Sequence, residues 1–182
     1  MRRLIWVMAV LAGFTLSGGL SYAHVQLPPN AAAMADQKDV DSIVAMYGKI
    51  EEALAKEDID AIMAFYADDY AHQGITKSVI RNLWSSIFAN FDNLNSTHAF
   101  SAVKVAGDEA RVTCTGTLLG MPKGSKDQKV VAVDRWESID HFLTKKGGSW
   151  KIVGGASHWL IEPRVEKYGE DVKYQLEFHP LF

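Results

Sequence analysis

The chain has 182 residues, 48% of them hydrophobic and 23% charged, with a formal net charge of −3. That is room for one ordinary domain with enough apolar material to build a core, so a disordered chain is excluded. Lys and Arg are scattered with no basic stripe, which argues against nucleic acid as a partner, and the lone cysteine, Cys114, cannot close an internal disulfide.

Residues 1–23 read as a signal peptide. Arg2 and Arg3 form a positive start, and the apolar run of residues 4–16 is shorter than a membrane span. Ser21, Tyr22 and Ala23 then offer small residues at the positions a signal peptidase needs. The expectation is export to the periplasm or the medium, with no stable membrane anchor after cleavage. Residues 24–38 are rich in Pro and Ala with little pattern, and read as a linker.

Order is expected from Asp39. Val40, Ile43, Val44, Tyr47, Ile50 and Leu54 recur at helical spacing, predicting a helix over 39–56. Asp58 is placed to cap a second helix, with Ile59, Ile62, Met63 and Tyr66 as its stripe and an end near Asp68. Residues 70–74 read as a short strand or turn. Thr76 is a candidate cap for a third helix carrying Ile80, Trp84, Ile87 and Phe91. After Asn95 the period falls from about 3.6 to 2. Strands are predicted over 100–105, 110–118, 129–144 and 150–159, with turns at Gly107-Asp108 and Gly147-Gly148. Residues 161–182 form a tail with enough apolar side chains to pack on the domain or on a partner. Helices followed by a strand meander make an α+β layout.

The stretches IVAMYGKIEEALAKEDIDAIMAFYADDYAHQG, VDRWESIDHF and GGSWKIVGGASHW resemble the nuclear-transport-factor-2-like superfamily, with its SnoaL-like and ketosteroid isomerase-like members. The match covers roughly residues 39–159, in a domain expected over 39–160. It implies a cone-shaped α+β barrel, three N-terminal helices on a curved antiparallel sheet, enclosing a small apolar cavity. It also implies a homodimer. Superfamily members do different chemistry on one fold, so the resemblance by itself assigns no reaction. Set against the isomerases, Asp140 matches their hydrogen-bond-donating aspartic acid. Their tyrosine falls on Ile50 and their base on Gly74, so ordinary ketosteroid isomerase chemistry is not expected.

The candidate catalytic residues are therefore Asp140 with His72 or His158, since a carboxyl in an apolar cavity becomes an acid and a histidine can move the proton. Tyr47, Tyr66, Tyr70, Trp84, His98, Trp136 and Trp159 are candidate ligand-binding side chains. On a strict period of 2, Trp136, Ser138, Asp140 and Phe142 share one sheet face and Arg135, Glu137, Ile139 and His141 the other; the resemblance favours the Asp140 face as the inner one. No pair of histidines has a local metal-ligand spacing, and no metal or cofactor is expected. Three functions remain open: an exported binding protein for a small apolar or aromatic molecule, a cavity enzyme of dehydratase, hydrolase or isomerase type, and a homodimeric interaction module.

Overall fold

The computed structural model describes residues 25–72, 75–127 and 129–154; the expected signal peptide, residues 161–182, His158 and Trp159 lie outside these. Helix α1 spans Gln37–Ala55 and buries Val40, Ile43, Tyr47, Ile50 and Leu54, the stripe read from the sequence, together with Met46, Glu51 and Ala53. Helix α2 spans Ile59–Met63, with the Asp58 carboxylate accepting from the Ala61 N–H as expected. It stops well before Asp68. The sheet edge captures the chain instead: Ile152 N–H donates to the Phe65 carbonyl, and Ala67 N–H donates to the Ile152 carbonyl. Helix α3 spans Lys77–Asn90 and buries Ile80 and Trp84; Thr76 precedes it without a side-chain capping bond.

Four long or well-paired strands follow and form an antiparallel meander. They are β5 (Phe91–Ala106), β6 (Glu109–Pro122), β7 (Val131–Lys146) and β8 (Ser149–Val153). Phe91, expected on the third helix, already begins β5. Residues 24–38 are not a patternless linker. Strands β1 (Val25–Gln26) and β2 (Ala32–Met34) both pair parallel with β5, and Val25 and Leu27 pack against the core. Alternation was hidden there because each pairing is only two or three residues long. A separate small hairpin joins β3 (Ala71–His72) to β4 (Ile75–Thr76). The sheet is therefore mixed and curved without closing into a barrel, and with the helices on it makes the cone-like α+β fold expected from the sequence. The helices cover its concave side, where Phe100, Val103, Val112, Leu118, Leu143 and Ile152 meet the α1 stripe.

One local irregularity decides what faces the helices. Cys114 pairs with Ile139, but Gly116 pairs with Trp136, so β7 spends one extra residue around Glu137 and Ser138. Ser138 sits at φ +53, and its N–H donates to the Thr115 hydroxyl at 3.0 Å. This β-bulge breaks the period-2 count. Trp136 and His141, assigned opposite faces by that count, both end up buried on the concave side. Asp140 turns outward. A left-handed conformation is costly for a β-branched side chain, so Ser138→Val is expected to lower stability by about 1–2 kcal/mol. A urea melt checks this: an unchanged midpoint would mean the bulge carries no such strain.

Candidate active site

Registers across the sheet place Val25, His98, Gly116 and Trp136 in one row over four adjacent strands. Gly116 has no side chain, and a Cβ there would lie 2.4 Å from the Trp136 ring. Trp136 leans over that gap to reach His98, ring centroids 5.1 Å apart. Its indole N–H donates to the Cys114 thiol sulfur at 3.4 Å. Phe100 and Cys114 form the next row, and Val112 and His141 pair in the row beyond.

Helix α1 completes the cluster from above. Tyr47 and Glu51 are four residues apart and so project from the same face, one turn from each other. The Tyr47 ring contacts His98 (5.1 Å), Phe100 (5.0 Å) and His141 (5.8 Å). Its hydroxyl lies 2.8 Å from Nδ1 of His141, and the tautomer of the imidazole sets which of the two donates. Glu51 Oε1 lies 2.8 Å from His98 Nδ1. All four side chains are buried: Tyr47 is 0% exposed, His98 and His141 1%, Glu51 8%.

Burial sets the protonation of this cluster. It pushes the Glu51 carboxyl up to about 8 and the Tyr47 phenol well above its usual range. Glu51 thus keeps its proton at neutral pH and can donate it toward His98. Tyr47 stays a phenol, a hydrogen-bond donor. Cys114 is pushed up to about 12 by burial, so it is a thiol and not a nucleophile.

The other sequence-derived candidates separate into distinct places. Asp140, favoured as the cavity acid, lies on the convex side of the sheet: the Thr113 hydroxyl donates to it at 2.7 Å, and Arg111 is 3.7 Å away. The bulge is the physical reason for this correction. His72 donates from Nδ1 to the carbonyl of Gly154 beyond β8, and burial lowers its pKa. Tyr66 and Tyr70 are buried with ring centroids 5.4 Å apart, while Trp84 stacks near Phe88 in the core under α3. Of the candidates, Tyr47, His98 and Trp136 come together.

Two members of the cluster were missed in the sequence, and both left a signal. Glu51 is a carboxylate inside the buried arc between Tyr47, Ile50 and Leu54. His141 alternates with Ile139 and Leu143, an apolar pattern interrupted by one imidazole. Among the described residues, no group of three or more His, Cys, Asp or Glu side chains is arranged to hold a metal ion.

The sequence matches no protein-family model and no curated protein. Solved structures that resemble the chain include a proposed aromatic ring hydroxylase from Novosphingobium aromaticivorans, at 20% identity over 66% of this chain and 87% of that one, with a TM-score of 0.53. A proposed dehydratase of the NTF2-like family from Streptomyces avermitilis matches at 17% identity over 65% and 93%, TM-score 0.50. A conserved protein from Planctomyces limnophilus matches at 13% identity over 65% and 93%, TM-score 0.55. At such identities the likeness is one of fold: the chain has the nuclear-transport-factor-2-like fold.

Proposed function

We propose that this nuclear-transport-factor-2-like chain is an acid–base enzyme that moves a proton at carbon on a small apolar or aromatic molecule, as an isomerase or dehydratase does. The observation that carries the reading is the buried Glu51–His98 contact at 2.8 Å, with the Tyr47 phenol against the same imidazole. A general base for such a step needs a pKa near the working pH, and a carboxyl held at about 8 beside a histidine meets that need. In this scheme Glu51, in its ionised form, takes the proton from the carbon next to a carbonyl, with His98 held against it. Tyr47 donates a hydrogen bond to the carbonyl oxygen, where negative charge develops. With the proton on its Nδ1, His141 donates to the phenol oxygen and leaves the Tyr47 O–H for the substrate. The proton returns to a neighbouring carbon in an isomerisation, or to a departing hydroxyl in a dehydration.

Export after removal of residues 1–23, and assembly as a homodimer, belong to the proposal as the sequence and its resemblance suggest them. Screening β-hydroxy ketones and unsaturated ketones for the absorbance change of elimination or double-bond migration tests the chemistry. Glu51→Gln and His98→Asn are each expected to cut kcat by roughly a hundredfold or more, with far-UV circular dichroism unchanged. Turnover that survives both substitutions would remove the assignment.

A second reading is a binding protein without turnover. The rings of Tyr47, Phe100 and Trp136 favour it, because aromatic walls suit an apolar ligand whether or not chemistry follows.

A further inference from the structure

We infer that residues 25–36 are a lid on the Tyr47–Glu51–His98 centre, a strap that lifts off the edge of β5 to admit a molecule and docks again to shut the site. The inference rests on that cluster being the working site. It adds a gate to the chemistry and assigns it to a segment that carries none of the reacting groups.

As folded, the centre is closed: Tyr47 is 0% exposed, His98 1% and Glu51 8%. An element must move before a molecule can touch these groups. The long strands and α1 are poorly suited to that. β5, β6 and β7 pair along most of their lengths, and α1 is anchored by its buried stripe. Parting them would break a long hydrogen-bond ladder or open the core, at a cost close to global unfolding. The strap is placed differently. β1 lies on the outer edge of β5 with Val25 directly beside His98, and it also touches α1. It therefore fills the gap between sheet and helix where Glu51 reaches His98.

Little holds the strap in place. β1 and β2 are parallel pairings only two and three residues long, and parallel ladders are the weaker kind per residue. Residues 25–36 are all exposed or half-buried, with Val25, Leu27 and Ala35 supplying the packing on the core. Pro28 and Pro29 stand between the two pairings and have no N–H with which to lengthen either. A segment with short ladders and few buried contacts opens far more cheaply than the domain unfolds, which is the property a lid needs. Ala35 and Asp36 join the strap to α1 and form the hinge, where the Asp36 side chain makes no capping bond. While docked, the strap helps keep water from Glu51, whose carboxyl burial pushes up to about 8.

A reversible lock tests this on the full chain. Gln26 and Ala99 are register partners, on the sheet face opposite to His98, and directly paired residues lie within reach of a disulfide. In the double variant Gln26→Cys, Ala99→Cys, oxidation pins the strap and a reductant frees it. The probe is diethyl pyrocarbonate, which acylates accessible imidazoles, with the modification of His98 followed by peptide mass spectrometry. The oxidised form is expected to react at His98 roughly tenfold or more slowly than the parent and to recover the parent rate on reduction. Val25→Ala needs no cross-link and is expected to speed the reaction by about threefold or more. Equal rates in the locked and reduced forms, an unchanged rate in Val25→Ala, or no reaction of His98 in the parent each overturn the lid. Turnover of a ketone found by the screen above is expected to fall with the lock and return on reduction. A locked protein that turns over at the full rate overturns the lid and leaves the acid–base reading standing. Turnover that is lost in the lock but survives Glu51→Gln and His98→Asn supports the lid and removes the acid–base reading.

Discussion

Replacing Gly116 by alanine is expected to lower stability by roughly 3 kcal/mol, the upper end of ordinary overpacking costs. The added methyl would lie 2.1 Å from the Thr97 carbonyl oxygen and 2.4 Å from the Trp136 ring. The carbonyl belongs to the paired strand β5 and cannot swing aside as a long side chain could. The indole is held by the Cys114 sulfur and by its contact with His98. One or both must give, so the substitution attacks the fold and the floor of the candidate site together. For a domain of this size the loss corresponds to a fall in Tm on the order of 10 °C. Gly48→Ala is the control. It lies in α1 with nothing within 4 Å of a new Cβ, and helix propensity alone predicts a gain of roughly 0.5–1 kcal/mol. Parallel thermal melts of the two variants check the contrast, and a Gly116→Ala protein as stable as the parent would show that the row is looser than drawn.

The second large effect is a pH dependence of unusual sign. Most carboxyls are easier to ionise in the folded state; Asp68 and Asp69, bonded to Lys77 and Lys146, follow that rule. Glu51 does the opposite. Its folded pKa of about 8 lies above the ordinary value near 4.5, so between these limits the folded chain binds the extra proton and the unfolded chain does not. Stability from this group is full below the unfolded pKa and is lost as pH rises through the folded one. His72 acts against it near neutrality: its lowered pKa makes the folded state weaker as pH falls below the usual histidine range. The difference between the parent and Glu51→Gln isolates the carboxyl. That difference is expected to shift against the parent by roughly 3 kcal/mol between pH 5 and pH 9, a figure reduced from the full linkage value because the pair with His98 redistributes the proton. Denaturant titrations at several pH values measure it, and a difference that does not change with pH would mean Glu51 is an ordinary carboxylate.

These two positions mark where sequence reading succeeds and where it stops. The α1 stripe, the Asp58 cap and the Gly107 and Gly147-Gly148 turns follow from side-chain periodicity and local backbone preference. Such signals act over a few residues, so they survive without knowledge of what the segment packs against. Helix α2 was read too long because Tyr66 continues an apolar spacing, yet the edge of β8 offered its backbone a better partner. The β1 and β2 pairings with β5 join segments about seventy residues apart and left no local mark.

The sequence by itself determined the α+β architecture, the inward stripe of α1 with Tyr47, and the resemblance that carries the fold. Only the tertiary structure decided that His141 faces Tyr47 while Asp140 faces away. Strand faces are assigned by counting in twos, and one extra residue at Ser138 reverses every assignment beyond it. That extra residue is held by a hydrogen bond to Thr115 on the neighbouring strand, so its presence depends on pairing and not on the segment in which it occurs.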